Sequence, residues 1–382
     1  MRRIYWRPKK ISRTVLVVLA ILALAGLTTV ELVKTTTRQP RYREKMHAAK
    51  TAQAAFDAIK TERITRGHVL DPAIDPAQSG LVGMAMSEVT SNSGHLGAKR
   101  TSVNPNFAAV AVHLLDRAGV EEGDSVAVGL SGSFPALNIC ILAALEAMNV
   151  EPVVISSASA SQWGANVLDL LWLDMERILE SKRILSTRSI AASMGGVEDR
   201  GIGMSKEGKR LIIEAIEVRS KIQRLQPRNY EDSLEQRMLL FDEWAGNETY
   251  AAYINVGGGA TSVGTKVGKK LFQPGLNRNS PRGGPPVDSV MMRFADRGIP
   301  VLHFVQIAEL AKHYGMPEEP NATPLVGESN VFAKEDYNPW LAGGVLVVLL
   351  FLLYAFIRSD VGFRILHRPR RQAGDERPEQ MV

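Results

Sequence analysis

Apolar residues concentrate in two runs near the ends of the chain, residues 14–33 and 340–357. At ~1.5 Å rise per residue, a helix of ~20 residues crosses the ~30 Å hydrocarbon core of a bilayer, so each run is expected to be a transmembrane helix. The second run has no charge between Trp340 and Arg358, and Trp340 and Tyr354 suit interfacial positions. The residues between the two runs must then fold on one side of a membrane.

In that central stretch the period changes repeatedly. Residues 41–66 contain no Gly or Pro, and Met46, Ala49, Ala52, Phe56 and Ile59 form a thin apolar stripe at helical spacing. This predicts a juxtamembrane helix laid on the body of the domain. Gly67 ends it, and Asp71-Pro72 and Asp75-Pro76 mark a turn-rich connection. Asn104-Pro105 reads as a helix start and Gly119 as its stop. A strand at 124–130, a helix at 134–148 and a strand at 152–156 make a βαβ unit, which requires parallel strands and a right-handed crossover.

Further helices are expected at 168–179, 206–219, 230–244, 287–295 and 307–314. Strands are expected at 190–193, 251–256 and 301–305. The alternation predicts an α/β fold, a layered and mostly parallel sheet with helices on both faces, bracketed by one transmembrane helix at each end. Residues 276–286 (LNRNSPRGGPP) are the most loop-like and read as a flap at the domain edge. The expected organisation is a basic tail (1–13), a span (14–33), a juxtamembrane helix and linker (34–79), an α/β domain (80–320), a linker (321–339), a second span (340–357) and a second basic tail (358–382).

Charge decides which side the domain should occupy. Arg358, Arg364, Arg368, Arg370 and Arg371 follow the second span, whereas Glu318, Glu319, Glu328, Glu335 and Asp336 precede it. Basic flanks stay cytoplasmic, so both tails are expected on the cytoplasmic side of the membrane and the domain outside it. The first span carries basic residues on both sides, and Ala23-Leu24-Ala25 before Gly26 also offers a signal-peptide cleavage site. Its apolar run continues to Val30, which favours an uncleaved anchor. The formal charge of +6 sits in the two tails. They suit anionic lipid headgroups, while the near-neutral domain argues against a nucleic-acid partner. Cys140 is the single cysteine and lies in an apolar stretch, which excludes an internal disulfide or thiolate cluster and suggests a core thiol.

Ligands of parallel sheets bind beyond the C-terminal strand ends. Two loops there carry suitable residues: Gly129, Ser131, Gly132 and Ser133 in VAVGLSGSFPALN, and Gly257, Gly258, Gly259, Thr261 and Ser262 in YINVGGGATSVG. Free N–H groups and the helix dipole suit such turns to phosphate or carboxylate. The plainer alternative is a tight turn with hydroxyl caps. Neither loop matches GxxxxGK[ST] or GxGxxG, no HExxH spacing occurs, and no cofactor or metal is expected. Ser131 falls in a GxSxG-like pattern without its last glycine. A hydrolase built on Ser131 or Ser133 would need a base, for which His68, His95 and His303 are candidates, His95 lying in a polar stretch. Lys99 and Arg100 precede a helix start and suit an anionic ligand, or form an exposed basic turn. Trp163, Trp172, Asp174 and Glu176 could line a cleft, although aromatic core packing is the simpler reading.

The runs AKRTSVNPNFAA, GLSGSFPALN, SSASASQWGAN, WLDME, GGVEDRGIGMSKEGK and YINVGGGATSVG, between two apolar spans, resemble the poly-gamma-glutamate system protein family. The resemblance implies a membrane component encoded with bacterial poly-γ-glutamate ligase and export subunits, which would be its partners. It carries no catalytic residues over. Poly-γ-glutamate bears a free α-carboxylate on every residue, so an anion-binding domain outside the membrane could receive or guide it. The rivals are an enzyme acting on that polymer and a cytoplasmic-facing nucleotide-binding partner of the ligase.

Overall fold

The computed structural model describes residues 13–264, 268–281 and 287–358. The basic tails, residues 265–267 and the second half of the expected 276–286 flap lie outside the described residues. The chain divides into two compact units, Arg38–Ala333 and the two terminal segments together.

Seven strands form the sheet of the larger unit: β1 (Ser125–Ser131), β2 (Glu151–Ser157), β3 (Ala191–Ser193), β4 (Gln223–Arg224), β5 (Ala252–Val256), β6 (Gly275–Asn277) and β7 (Val301–Phe304). Their order is β6-β7-β5-β1-β2-β3-β4. All neighbours are parallel except β6, which pairs antiparallel with β7. From β1 the chain winds one way through β2, β3 and β4. It then returns to the far side of β1 as β5. The order of winding therefore reverses between β1 and β5, the position at which doubly wound sheets open a crevice.

Period-two side chains fill both faces. Val126, Val128 and Leu130 of β1 join one core with Ile254, Val256 and Phe304. Ala127 joins the other with Val153, Tyr253 and Val301. The first core is covered by α2 (Tyr42–Thr65), α4 (Phe107–Ala118) and α5 (Pro135–Ala147), and the second by α8 (Tyr230–Ala245) and α10 (Val290–Asp296). The apolar stripe expected at 41–66 is buried: Ala48, Ala49, Ala52, Ala55, Phe56 and Ile59 face the core. Burying apolar surface at ~25 cal/mol per Å² is what holds this helix on α4 and α5.

Several boundaries differ from the periodic expectation, for local reasons. The Asn104 side chain accepts the Asn106 N–H (3.0 Å), turning the chain, so α4 begins at Phe107 rather than at Pro105. Residues 166–167 and 170–171 pair as a small antiparallel ribbon, which delays α6 to Trp172–Ser181. The helix expected over 206–219 is α7 (Lys206–Ile213) followed by a wide π-helical segment, Glu214–Ser220. The start of the expected flap is the edge strand β6. Ser289 caps α10 by accepting the Met292 N–H at 3.1 Å, leaving 287–289 outside the helix.

In the smaller unit, α1 (Arg13–Leu32) packs on α12 (Pro339–Arg358), and a Cβ added to Gly26 would lie 2.6 Å from Val345 Cγ1. Among the described residues one helix, over Pro339–Phe356, is long and apolar enough to cross a bilayer. The apolar stretch Leu16–Leu32 is shorter, so the expected pair of bracketing spans reduces to one on this criterion.

Candidate functional site

The C-terminal ends of β1, β2 and β3 all finish on serine: Ser131, Ser157 and Ser193. Beyond Ser131 the chain turns through Gly132 and Ser133 into α5, whose first residue, Pro135, lacks the N–H that a helix start leaves unpaired. The turn is closed by its own polar groups. Ser131 Oγ accepts the Ser133 N–H (3.2 Å), and Asn138 Nδ2 donates to the Ser131 carbonyl (2.9 Å).

Across the reversal, β5 runs into Gly257, whose φ of +91° is the left-handed region that favours glycine. A Cβ at Gly257 would sit 3.3 Å from Ser131 Cβ and 3.7 Å from Phe134 Cδ2. The two glycine-serine loops picked out in the sequence therefore meet at the crevice. Gly258 and Gly259 are more exposed and lead into α9 (Ala260–Val263). Thr261 is buried and within 3.3 Å of the Ser233 hydroxyl, and Ser262 hydrogen-bonds Tyr253. A side chain at Gly129 would collide with the Tyr253 hydroxyl, so that glycine makes room for the tyrosine, whose buried ring stacks on Phe294.

Beneath the loops lies a charge network that sequence reasoning missed. Asp199 and Arg237 are buried, with Arg237 Nε 2.7 Å from Asp199 Oδ2. Ser233 and Ser193 donate to Asp199 at 2.7 and 2.8 Å, and Arg237 Nη2 donates to Ser193 (2.9 Å) and Ser157 (3.3 Å). Burial pushes the Asp199 carboxyl up, but the Arg237 guanidinium and the two hydroxyls outweigh it and hold the group below the usual carboxylate range. The serines ending three successive strands were the available signal.

The sequence candidates separate. Lys99, on α3 (Leu96–Ser102), reaches the site: its Nζ donates to the Ser133 carbonyl and to Ser161 Oγ (3.0 Å), and lies 3.6 Å from the Phe134 ring centre. It is buried at 3% exposure with no carboxylate in ion-pair range among the described residues, and burial lowers its pKa to about 7. Arg100 points elsewhere, donating to Glu319 (3.1 Å) and to the carbonyls of Ile74 and Ala73. His95 is exposed at the start of α3, and among the described residues no hydrogen bond ties it to Ser131 or Ser133. His303 is buried beside Asn255 (3.0 Å), and burial lowers its pKa to about 4. His68 pairs with Asp169 at 2.8 Å.

Trp172 is core, with its indole N–H donated to Ser156 Oγ (3.2 Å). Asp174 accepts the Leu171 N–H (3.0 Å) at the head of α6, and Glu176 is buried against Ser189 (2.8 Å). Cys140 is a buried free thiol, pushed up in pKa by burial.

No protein-family model matches the chain, and no curated protein matches it. One solved structure aligns, an archaeal alanine:glyoxylate aminotransferase, at 11% identity and a TM-score of 0.15, over 92% of this chain and 68% of that one. A likeness of that size carries no argument.

Proposed function

We propose that the protein is a membrane-anchored accessory component of poly-γ-glutamate synthesis or export, whose α/β domain binds carboxylates at the crevice between β1 and β5. The observation that carries the ligand class is the meeting of Gly257 with Ser131 at the reversal of strand order, beside Lys99, which has no carboxylate in ion-pair range among the described residues. The N–H groups of Gly132, Ser133, Phe134 and Gly257 are bonded within the fold, so the group that favours an anion at this crevice is the Lys99 ammonium. The motif resemblance supplies the polymer, and the ligase and export subunits as partners.

The α12 stretch Pro339–Phe356, with none of it buried, supports an anchor. Residues 14–33 serve as a second span in this reading, with both basic tails on anionic cytoplasmic headgroups and the domain outside the cell membrane. Exposure outside the cell makes carboxylate a more coherent ligand than a nucleotide.

Two experiments test the reading. In a polymer-producing strain, Gly257→Val should reduce polymer yield or shorten the chains, and unchanged polymer would make the loops merely structural. Protease added to intact spheroplasts should degrade the domain. Protection there, with digestion in inverted vesicles, would reverse the topology and favour a nucleotide-binding partner of the ligase.

A further inference from the structure

The segment carrying Ser161 is pressed onto the β1–α5 loop. Ser161 N–H donates to Ser133 Oγ (3.0 Å), and a Cβ on Gly164 would lie 2.9 Å from Ser133 Cα. This close approach brings the Ser161 hydroxyl to 3.0 Å from Lys99 Nζ. Ser161 is partly exposed and its hydroxyl has no other partner among the described residues, whereas Lys99 is buried and fixed by the Ser133 carbonyl and the Phe134 ring. A nucleophile within hydrogen-bond reach of a base, with the base oriented by a third group, is the arrangement that covalent acyl transfer requires.

We propose that Ser161 and Lys99 form a nucleophile–base pair that cleaves amide or ester bonds at this crevice. The Ser161 Oγ–carbonyl bond forms as the hydroxyl proton passes to Lys99 Nζ. The carbon–nitrogen or carbon–oxygen bond then breaks, and the leaving group departs with that proton. Water attacks the acyl-serine, giving one proton to Lys99 and releasing the acid, and Lys99 returns the proton to Ser161. One water is consumed per bond cleaved. Burial keeps a large fraction of Lys99 neutral near pH 7, as a base must be.

The test is reaction of the full-length detergent-solubilised protein with an uncharged fluorophosphonate, followed by peptide mass spectrometry. The probe carries no carboxylate, so its result is independent of whether the crevice binds a polyanion. Phosphonylation should map to Ser161, and its rate should rise through pH 7 as a single titration. Lys99→Met should slow it by about 100-fold or more, within the usual range for a lost general base, and Lys99→Arg should not rescue it. Ser161→Ala should remove the label without altering the melt. If Lys99→Met fails to fold, the wild-type pH profile alone decides. Absence of label at Ser161 in folded wild type, a rate independent of pH, or a folded Lys99→Met protein labelled at the wild-type rate would overturn the proposal.

Discussion

Arg237 and Lys99 are both buried cations beside the C-terminal strand ends, yet their surroundings differ in kind. Arg237 has an acid at 2.7 Å and two strand-end serines, and every one of those groups is turned inward. Lys99 has a carbonyl, a hydroxyl and an aromatic face, but no acid among the described residues. A buried pair tied together directly and through shared hydroxyls is a fixed part of the scaffold. A buried cation without a counter-charge is held close to neutrality and open to an anion or to proton transfer. The two sites thus divide the polar edge of the sheet into a half held by an ion pair and a half whose lysine has no carboxylate partner among the described residues.

The largest expected effect breaks the ion-paired half. Arg237→Met leaves Asp199 buried without its cation and should cost ~3–5 kcal/mol in denaturant unfolding. Adding Asp199→Leu should recover most of that loss, since the stranded charge rather than the lost attraction dominates.

Titration sharpens the contrast further. The Lys99 pKa falls from an unfolded 10.5 to about 7, so the unfolded chain binds more protons between those values. Stability contributed by this group therefore rises as pH increases from about 7 to 10.5, and Lys99→Met should flatten the slope over that window. Glu176 has the opposite sign. Burial raises it from 4.5 to about 7, so the folded chain binds more protons in between and stability falls as pH rises across that range. Glu176→Gln should remove that fall, read from melting temperatures between pH 4.5 and 7.

A smaller effect belongs to the seam between the loops. Gly257→Ala places a side chain at φ +91° and 3.3 Å from Ser131 Cβ, and should cost ~1–2 kcal/mol in the same unfolding measurement.

Five of the seven strands were readable because they are short apolar runs and the helices between them carry long stripes, whereas the edge strands β4 (Gln223–Arg224) and β6 (Gly275–Asn277) have no such run and were not expected. The β1–α5–β2 unit and the strand entering Gly257 are found within a residue or two of their expected places. Helix starts were less readable where a side chain competes for the backbone, as Asn104 does at α4. At the site, glycine and serine marked the two loops, since only tight turns at strand ends need them. The Asp199–Arg237 pair left no local trace: the partners are 38 residues apart and meet only because α8 crosses back over the sheet. Adjacency misled at Lys99 and Arg100, because neighbouring helix positions face different ways, and one side chain enters the site while the other binds Glu319.

The most direct measurement is calorimetric titration of the full-length protein, in detergent, with a short γ-linked glutamate oligomer and with the same oligomer fully amidated. The free acid should bind saturably, and Gly257→Val should weaken it by at least about tenfold, equivalent to ~1.4 kcal/mol. The amidated oligomer should give no heat beyond dilution. Equal heats from the two oligomers, or no binding of the acid by folded protein, would contradict a carboxylate site between β1 and β5.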